Sequence, residues 1–319
     1  NTEESRGRDT QCGMFACTKV MQRFGVTYSY IWNCETESED FRRGFDKFIR
    51  VVSVVKNVKG LRIAKFGARP VPFMSVMANE ADLATRLGIT VVPISPTAIA
   101  ARADKLALEN DPAYTSYLAD MKSRIDVSAM NPEKVERCAA VKVAAQQLML
   151  ENNCTAGAME CWSATPILGV PVCMALGEIA DEGYPISCET DINGAVTMAM
   201  LRGVTLGKEA EFLADLTIRH PENDNAELLW HCGPFPYSLK DPNSCARLVD
   251  GQERWELKKG DLTVCRFDDI DGKYYLFAGE GCAVDGPETT GTYVWFQLDN
   301  WKRWEEQLIF GPYIHHVGG

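Results

Sequence analysis

LRIAKFGARPVPFMSVMANEADLATRLGITVVPIS, residues 61–95, decides the fold. LRIAKFGA (61–68) is short and apolar and ends among glycine and proline, as a buried strand does. PFMSVMANEADLATRLG spaces its apolar residues at helical intervals and stops at Gly88. ITVVPIS (89–95) is again β-branched and strand-like. Two strands joined through a helix pair in parallel, and the stretch therefore predicts an open, doubly wound α/β sheet.

The same alternation extends in both directions. Upstream, CGMFACTKVMQRFG (12–25) reads as a helix stopped by Gly25, VTYSYIW (26–32) as a strand and about 38–57 as a helix. Downstream, 97–153 is helical, with Asp-Pro and Asn-Pro starts at DPAYTSYLADM and NPEKVERCAAVKVAAQQLMLENN. AGAMECW (156–162) and YPISCETD (184–191) read as strands around a helix at 170–183, and a helix follows from about Asn193 to Arg202. Beyond about residue 205, ELLWHCG, RWELKKGDLTVCRFDD, KYYLFAGEGCAV and GTYVWFQLDNW are short strands parted by Gly, Asp and Asn, which predicts an antiparallel sheet or barrel. The division expected is 1–58 as the end of an amino-terminal α/β domain, 59–190 as a middle α/β domain and 191–319 as a mainly β domain.

ISCETDINGA (186–195) sits at that last junction and poses a chemical question. Glu189 and Asp191, one residue apart on an extended segment, would point the same way. Two buried like charges are costly unless something positive lies between them. A metal ion is one answer, and helix capping by either carboxylate is the other. The chain has only four histidines, His220, His231, His315 and His316. The simplest metal site joins Asp191, His231 and one of the adjacent pair at a domain junction. Carboxylate, imidazole and open positions suit Mn²⁺ or Mg²⁺ rather than structural zinc. Taken singly, His231 could equally be a structural residue.

The totals limit the partners. A net charge of −11 opposes nucleic acid or an anionic membrane. No apolar run approaches the roughly 20 residues of a membrane span, and no secretory leader is visible. The 12 cysteines include no C-x-x-C pair, so reduced thiols in a cytoplasmic protein are expected. Both ends read as unfinished: the chain starts without Met and stops directly after a strand.

CETDINGAVTMAMLRGVTL, LLWHCGPFPYSL and the final HHV, together with the 61–95 unit, resemble in order the L-fucose and L-arabinose isomerase family. MECW, CETD and WHCG look closest to its fucose-isomerase-like branch. The resemblance implies a manganese-dependent aldose–ketose isomerase, with Co²⁺ or Mg²⁺ as substitutes. It also implies a homo-oligomer, commonly a hexamer, with sites between subunits. By resemblance Asp191, His231 and His316 would bind the metal with Glu189 as the acidic neighbour, which would act as base or second ligand. The family's second catalytic carboxylate has no acidic match here; Cys173 falls nearest, and Glu160 or Glu178 would have to substitute. Trp162 and Tyr237 are candidates to meet the sugar, and Arg6, Arg8 and Arg69 to meet an anionic group on it. The missing carboxylate sustains a second expectation, a sugar-binding or sensing module with a degenerate isomerase site. A family enzyme would be longer than this chain, which alone would be poorly active.

Overall fold

The computed structural model describes residues 10–319. The chain divides into two compact units, Asn1–Ser53 and Val54–Gly319. The first contains helix α1 (Thr10–Arg23) and most of α2 (Glu39–Val58), and none of its described side chains is buried. Residues 26–32 are not a strand here: an extended segment needs a neighbour to satisfy its backbone, and no strand among the described residues pairs with them.

In the second unit β1 (Arg62–Phe66) opens a four-stranded parallel sheet. The helix expected across the 61–95 stretch is shorter than its periodicity suggests. Pro70 and Pro72 keep its first half irregular. Asn79 then caps α3 (Glu80–Asp82), whose course continues as a π-helical turn, Leu83–Leu87, and ends at the left-handed Gly88. Next come β2 (Thr90–Ile94), α4 (Pro96–Glu109), α5 (Pro112–Arg124) and α6 (Pro132–Glu151). These three helices begin alike, with Ser95, Asp111 and Asn131 each accepting a backbone N–H while proline fills the first turn. The chain continues through β3 (Ala156–Met159), α7 (Ala164–Leu168), α8 (Cys173–Asp181), β4 (Ile186–Cys188) and α9 (Ile192–Val204). Strand order β2-β1-β3-β4 reverses direction of travel between β1 and β3, and loops from their carboxyl ends meet there. A Cβ on Gly67 would stand 3.2 Å from the Glu160 Cβ, so the close approach requires glycine.

The remainder is β5 (Leu213–His220), β6 (Asn223–His231), β7 (Arg247–Val249), β8 (Gln252–Glu256), β9 (Asp261–Ile270), β10 (Lys273–Val284), β11 (Thr292–Gln297), α10 (Trp301–Phe310) and β12 (His316–Gly318). Six of these strands close a barrel in the order β10-β9-β12-β5-β6-β11 and back to β10, every pairing antiparallel. The expected α/β region followed by an antiparallel barrel is therefore present. Helix α9 joins the two. It is buried from Ile192 to Ala199, and its apolar residues pack with Ile63 and Ala156 of the parallel sheet and Phe267 of the barrel. A helix apolar all round has to be covered on all sides, and INGAVTMAML is one. Among the described residues no helix is long and apolar enough to cross a membrane.

Candidate active site

The 186–195 junction is where the two sheets meet. Strand β4 ends at Cys188, one residue earlier than the carboxylates need to be extended. Glu189 and Thr190 instead take left-handed backbone conformations, φ 57° and 58°. Such angles cost on the order of 1 kcal/mol each, more for a β-branched threonine. This double twist sends the two acidic groups to different partners, although they are one residue apart.

Asp191 is fully buried and caps α9, its Oδ1 accepting the Gly194 N–H at 2.8 Å. The positive charge it requires is Arg266 of β9, also fully buried, whose two terminal nitrogens grip both carboxylate oxygens. Oδ2 also accepts from His316 Nδ1 at 2.9 Å. Burial alone would raise the Asp191 carboxyl, but Arg266 and His316 hold it well below the usual carboxylate range. Arg266 Nε donates to Asp268 at 3.0 Å, and Asn193 donates to Asp268 and Asp269, which closes the network. The cation beside Asp191 is thus a guanidinium, and its lone pairs are taken. Asp191, expected as a metal ligand, is here hydrogen-bonded to Arg266, His316 and Gly194.

Glu189 faces the barrel rim, where its Oε2 lies 2.8 Å from His316 Nε2. Ligand atoms of Glu189, His231 and His316 all fall within 4.8 Å of one another, and all three residues are buried. Asp215 Oδ1 joins them, 3.4 Å from His316 Nε2 and 3.8 Å from the half-exposed His315. Strand pairing explains the convergence: β12 lies beside β5 with His316 opposite Asp215, and β6 runs on the other side of β5 and ends in His231. Glu189 Oε2, His231 Nε2, His316 Nε2 and Asp215 Oδ1 are buried without an aligned hydrogen bond. Three such atoms converging from Glu189, His231 and His316, with a fourth on Asp215 beside His316, are costly unless a ligand meets them.

The charge balance is strained in the same sense. Burial lowers the imidazole pKa values, but the carboxylates around them prevail. His316 is pushed up to about 9 by Asp191, Glu189 and Asp215. His231 is pushed up to about 10 by Cys232, Asp215 and Glu189. Burial raises Glu189, yet the histidines hold it below its ordinary value. The donor set fits a divalent cation. With Nδ1–H given to Asp191, neutral His316 presents the Nε2 lone pair, the arrangement in which metal-binding histidines are usually held. His231 fits when its Nδ1 carries the ring proton toward Cys232 Sγ, 3.3 Å away; its other tautomer accepts the Cys232 backbone N–H at 2.9 Å.

Other expected participants are elsewhere or otherwise engaged. Glu160 is buried, and its oxygens accept from Ser163 N, Ser163 Oγ and Ala164 N at 2.7–2.8 Å, so it starts α7 rather than facing the cluster. Glu178 is bound to Arg124 and Tyr117. Tyr237 lies against the Arg124 guanidinium and donates to its carbonyl, while Trp162 is exposed and meets Phe73 edge-on at 5.2 Å. Phe73 in turn is 6.3 Å from the His316 ring, giving the cluster an aromatic wall. Arg69, in the same loop, donates to the carbonyls of Pro70 and Val71. Arg6 and Arg8 lie outside the described residues.

Sequence reasoning passed over Arg266 and Asp215. Arg266 had a faint signal, since Arg266 and Asp268 share one face of an otherwise apolar strand. Asp215 had none, because its role exists only once β5 and β12 pair.

Known proteins place these features in context. Residues 1–59 match the family model described as fucose/sulfoquinovose isomerase, N-terminal domain. The chain is 28% identical over 259 residues to a sulfoquinovose isomerase of Priestia aryabhattai, covering 78% of this chain and 57% of that protein. A sulfoquinovose isomerase of Alkalicoccus urumqiensis is 27% identical over 277 residues, 84% of this chain and 61% of the relative. One from Clostridium sp. (strain MSTE9) is 23% identical over 244 residues, 74% and 52% respectively. The chain thus spans less than two thirds of the length of these relatives. In sequence it is similar to the fucose/sulfoquinovose isomerases, at its amino-terminal end by family model and over most of its length by relatives.

Proposed function

We propose that the protein is, or forms part of, a metal-dependent aldose–ketose isomerase acting on a monosaccharide. The observation that carries the reading is the buried convergence of Glu189, His231 and His316, with Asp215 beside His316, each presenting a polar atom without an aligned hydrogen bond. Glu189 and His316 would hold the cation, with His231 completing the set, and Mn²⁺ suits these donors. When bound, such an ion would polarise the sugar carbonyl and stabilise the charge of an enediolate. The protein's own groups do the rest. Asp191 and Arg266 keep His316 in one orientation and one tautomer. Asp215, about a fifth exposed, is the carboxylate with room to take the C2 proton and return it to C1. It takes the place that Glu160 cannot fill. Phe73 and Trp162 offer a face for the apolar side of the sugar ring and help exclude water.

The relatives are named for sulfoquinovose, and a sulfonated aldose is accordingly the first substrate to try. The deciding experiment loads the intact protein with Mn²⁺ and follows ketose formation from sulfoquinovose and from plain and deoxy aldoses. Turnover that disappears in Asp215→Asn while Mn²⁺ stays bound supports the assignment. Tight sugar binding with no ketose from any of them would establish a binding module instead. A homo-oligomer, possibly hexameric, with sites at subunit contacts belongs to the same proposal; sedimentation of the intact protein tests it.

A further inference from the structure

Sulfur also bridges the junction. Cys173 is the first residue of α8 and Cys232 follows β6, 59 positions later, yet their Sγ atoms lie 2.9 Å apart. A disulfide requires about 2.05 Å, so a small rotation of either side chain closes the gap. Cys173 is buried whereas Cys232 is partly exposed, which lets a small oxidant reach one sulfur with the second waiting behind it. All 12 cysteines are free thiols in this structure.

We propose that Cys173 and Cys232 form a reversible oxidation site for hydroperoxides, closing to a disulfide that ties α8 to the end of β6 beside the metal-site histidine. The Cys232 sulfur attacks one oxygen of hydrogen peroxide; the O–O bond breaks, a sulfenic acid forms and one water leaves. The Cys173 sulfur then attacks the Cys232 sulfur; the S–O bond breaks and a second water carries away the Cys173 proton. Two thiols and one peroxide give one disulfide and two waters, the thiols supplying both electrons. A dithiol reductant reverses the bond by exchange. Cys232 Sγ stands 3.3 Å from His231 Nδ1, and a disulfide sulfur is a poorer acceptor there than a thiol or thiolate. Closure therefore weakens the hold on a divalent cation. That consequence rests on the isomerase-site reading; the disulfide itself does not.

The test treats the full chain with hydrogen peroxide, alkylates the remaining thiols and maps unreduced peptides by mass spectrometry. The expected product joins the Cys173 and Cys232 peptides, lighter by two hydrogens, and dithiothreitol reverts it. Cys173→Ser should leave a Cys232 sulfenic acid that dimedone traps, and Cys232→Ser should remove both products. Full alkylation of both thiols after peroxide, or a cross-link between Cys161 and Cys188 instead, would overturn the site. Mn²⁺ affinity should fall about tenfold in the oxidised protein, the size of a lost supporting contact. Equal affinity in both redox states would overturn the link to His231. A disulfide that forms normally in a protein without isomerase activity would instead count against the isomerase reading.

Discussion

Asp191 and Glu189, one residue apart, meet different partners, Arg266 for the first and His316 at the barrel rim for the second. Removing the Asp191 charge leaves Arg266 buried with Asp268 as its one charged partner, a loss of up to roughly 3–5 kcal/mol. It also frees the His316 ring, a kind of change that costs about 10–100-fold in metal affinity. Asp191→Asn should therefore lower the melting temperature markedly and weaken Mn²⁺ binding without abolishing it. Glu189→Gln should abolish tight binding and cost less stability than Asp191→Asn, because Asp191 and Asp215 still face the histidines while Arg266 keeps both its carboxylates. Calorimetry with a Mn²⁺ titration separates the two; the opposite pattern would make Asp191 the ligand. Protons give an independent check. His316 and His231 are pushed up to about 9 and 10, so near pH 7 both must release a proton before they can ligate. Affinity should rise with pH until those values are passed. Binding enthalpy near pH 7 should scale with buffer ionisation enthalpy, consistent with up to two protons released; a buffer-independent enthalpy would remove the histidines from the site.

At the scale of elements, the loops at the carboxyl ends of β3 and β4 use similar residues for different ends. Glu160 accepts three hydrogen bonds at the start of α7 and has no lone pair aimed at the cluster. Glu160→Gln should cost about 1–2 kcal/mol, the range of a lost charged cap, and leave Mn²⁺ stoichiometry unchanged. Thermal melts with metal analysis check this, and loss of metal with an unchanged melt would restore Glu160 to the site. Helix α9 was legible from its sequence as a helix from about Asn193 to Arg202, and its burial on all sides follows from packing between the two sheets. The double left-handed turn before it was not legible, because neither Glu nor Thr favours that conformation. Residues 26–32 fail for the converse reason: β propensity alone makes no strand without a partner edge.

For the whole molecule, the seam between α9 and the barrel carries a pH dependence of its own. Glu211, just before β5, is buried with both oxygens lacking hydrogen bonds, and Arg202 of α9 stands 3.8 Å away. Burial pushes its carboxyl up to about 8. Its folded pKa is raised, so the folded state keeps a proton that the unfolded chain releases above about 4.5. Stability should therefore decline as pH rises from about 4.5 to about 8 and then level off. Glu211→Gln, which resembles the protonated acid, should raise stability at pH 8 by a few kcal/mol at most, about 1.4 per pKa unit before relaxation, and change nothing near pH 4.5. Denaturant unfolding at the two pH values checks the sign, and a gain at pH 4.5 alone would refute it.

What the sequence by itself determined was everything governed by short-range regularity. The 61–95 stretch dictates parallel pairing because a crossover must return its second strand in the same direction. The short strands after residue 205 dictate an antiparallel sheet or barrel, and Asp111 and Asn131 before proline dictate two helix starts. Glu189, Asp191, His231 and His316 stand out in the sequence as candidates, from rarity, position and family resemblance. Only the tertiary structure decided what each one touches. Arg266 lies 75 residues from Asp191, and Asp215 meets His316 through a strand pairing across about a hundred residues. Whether a buried carboxylate faces a guanidinium or a pair of histidines depends on which distant strand is folded against it, and neither the spacing nor the composition of the chain encodes that contact.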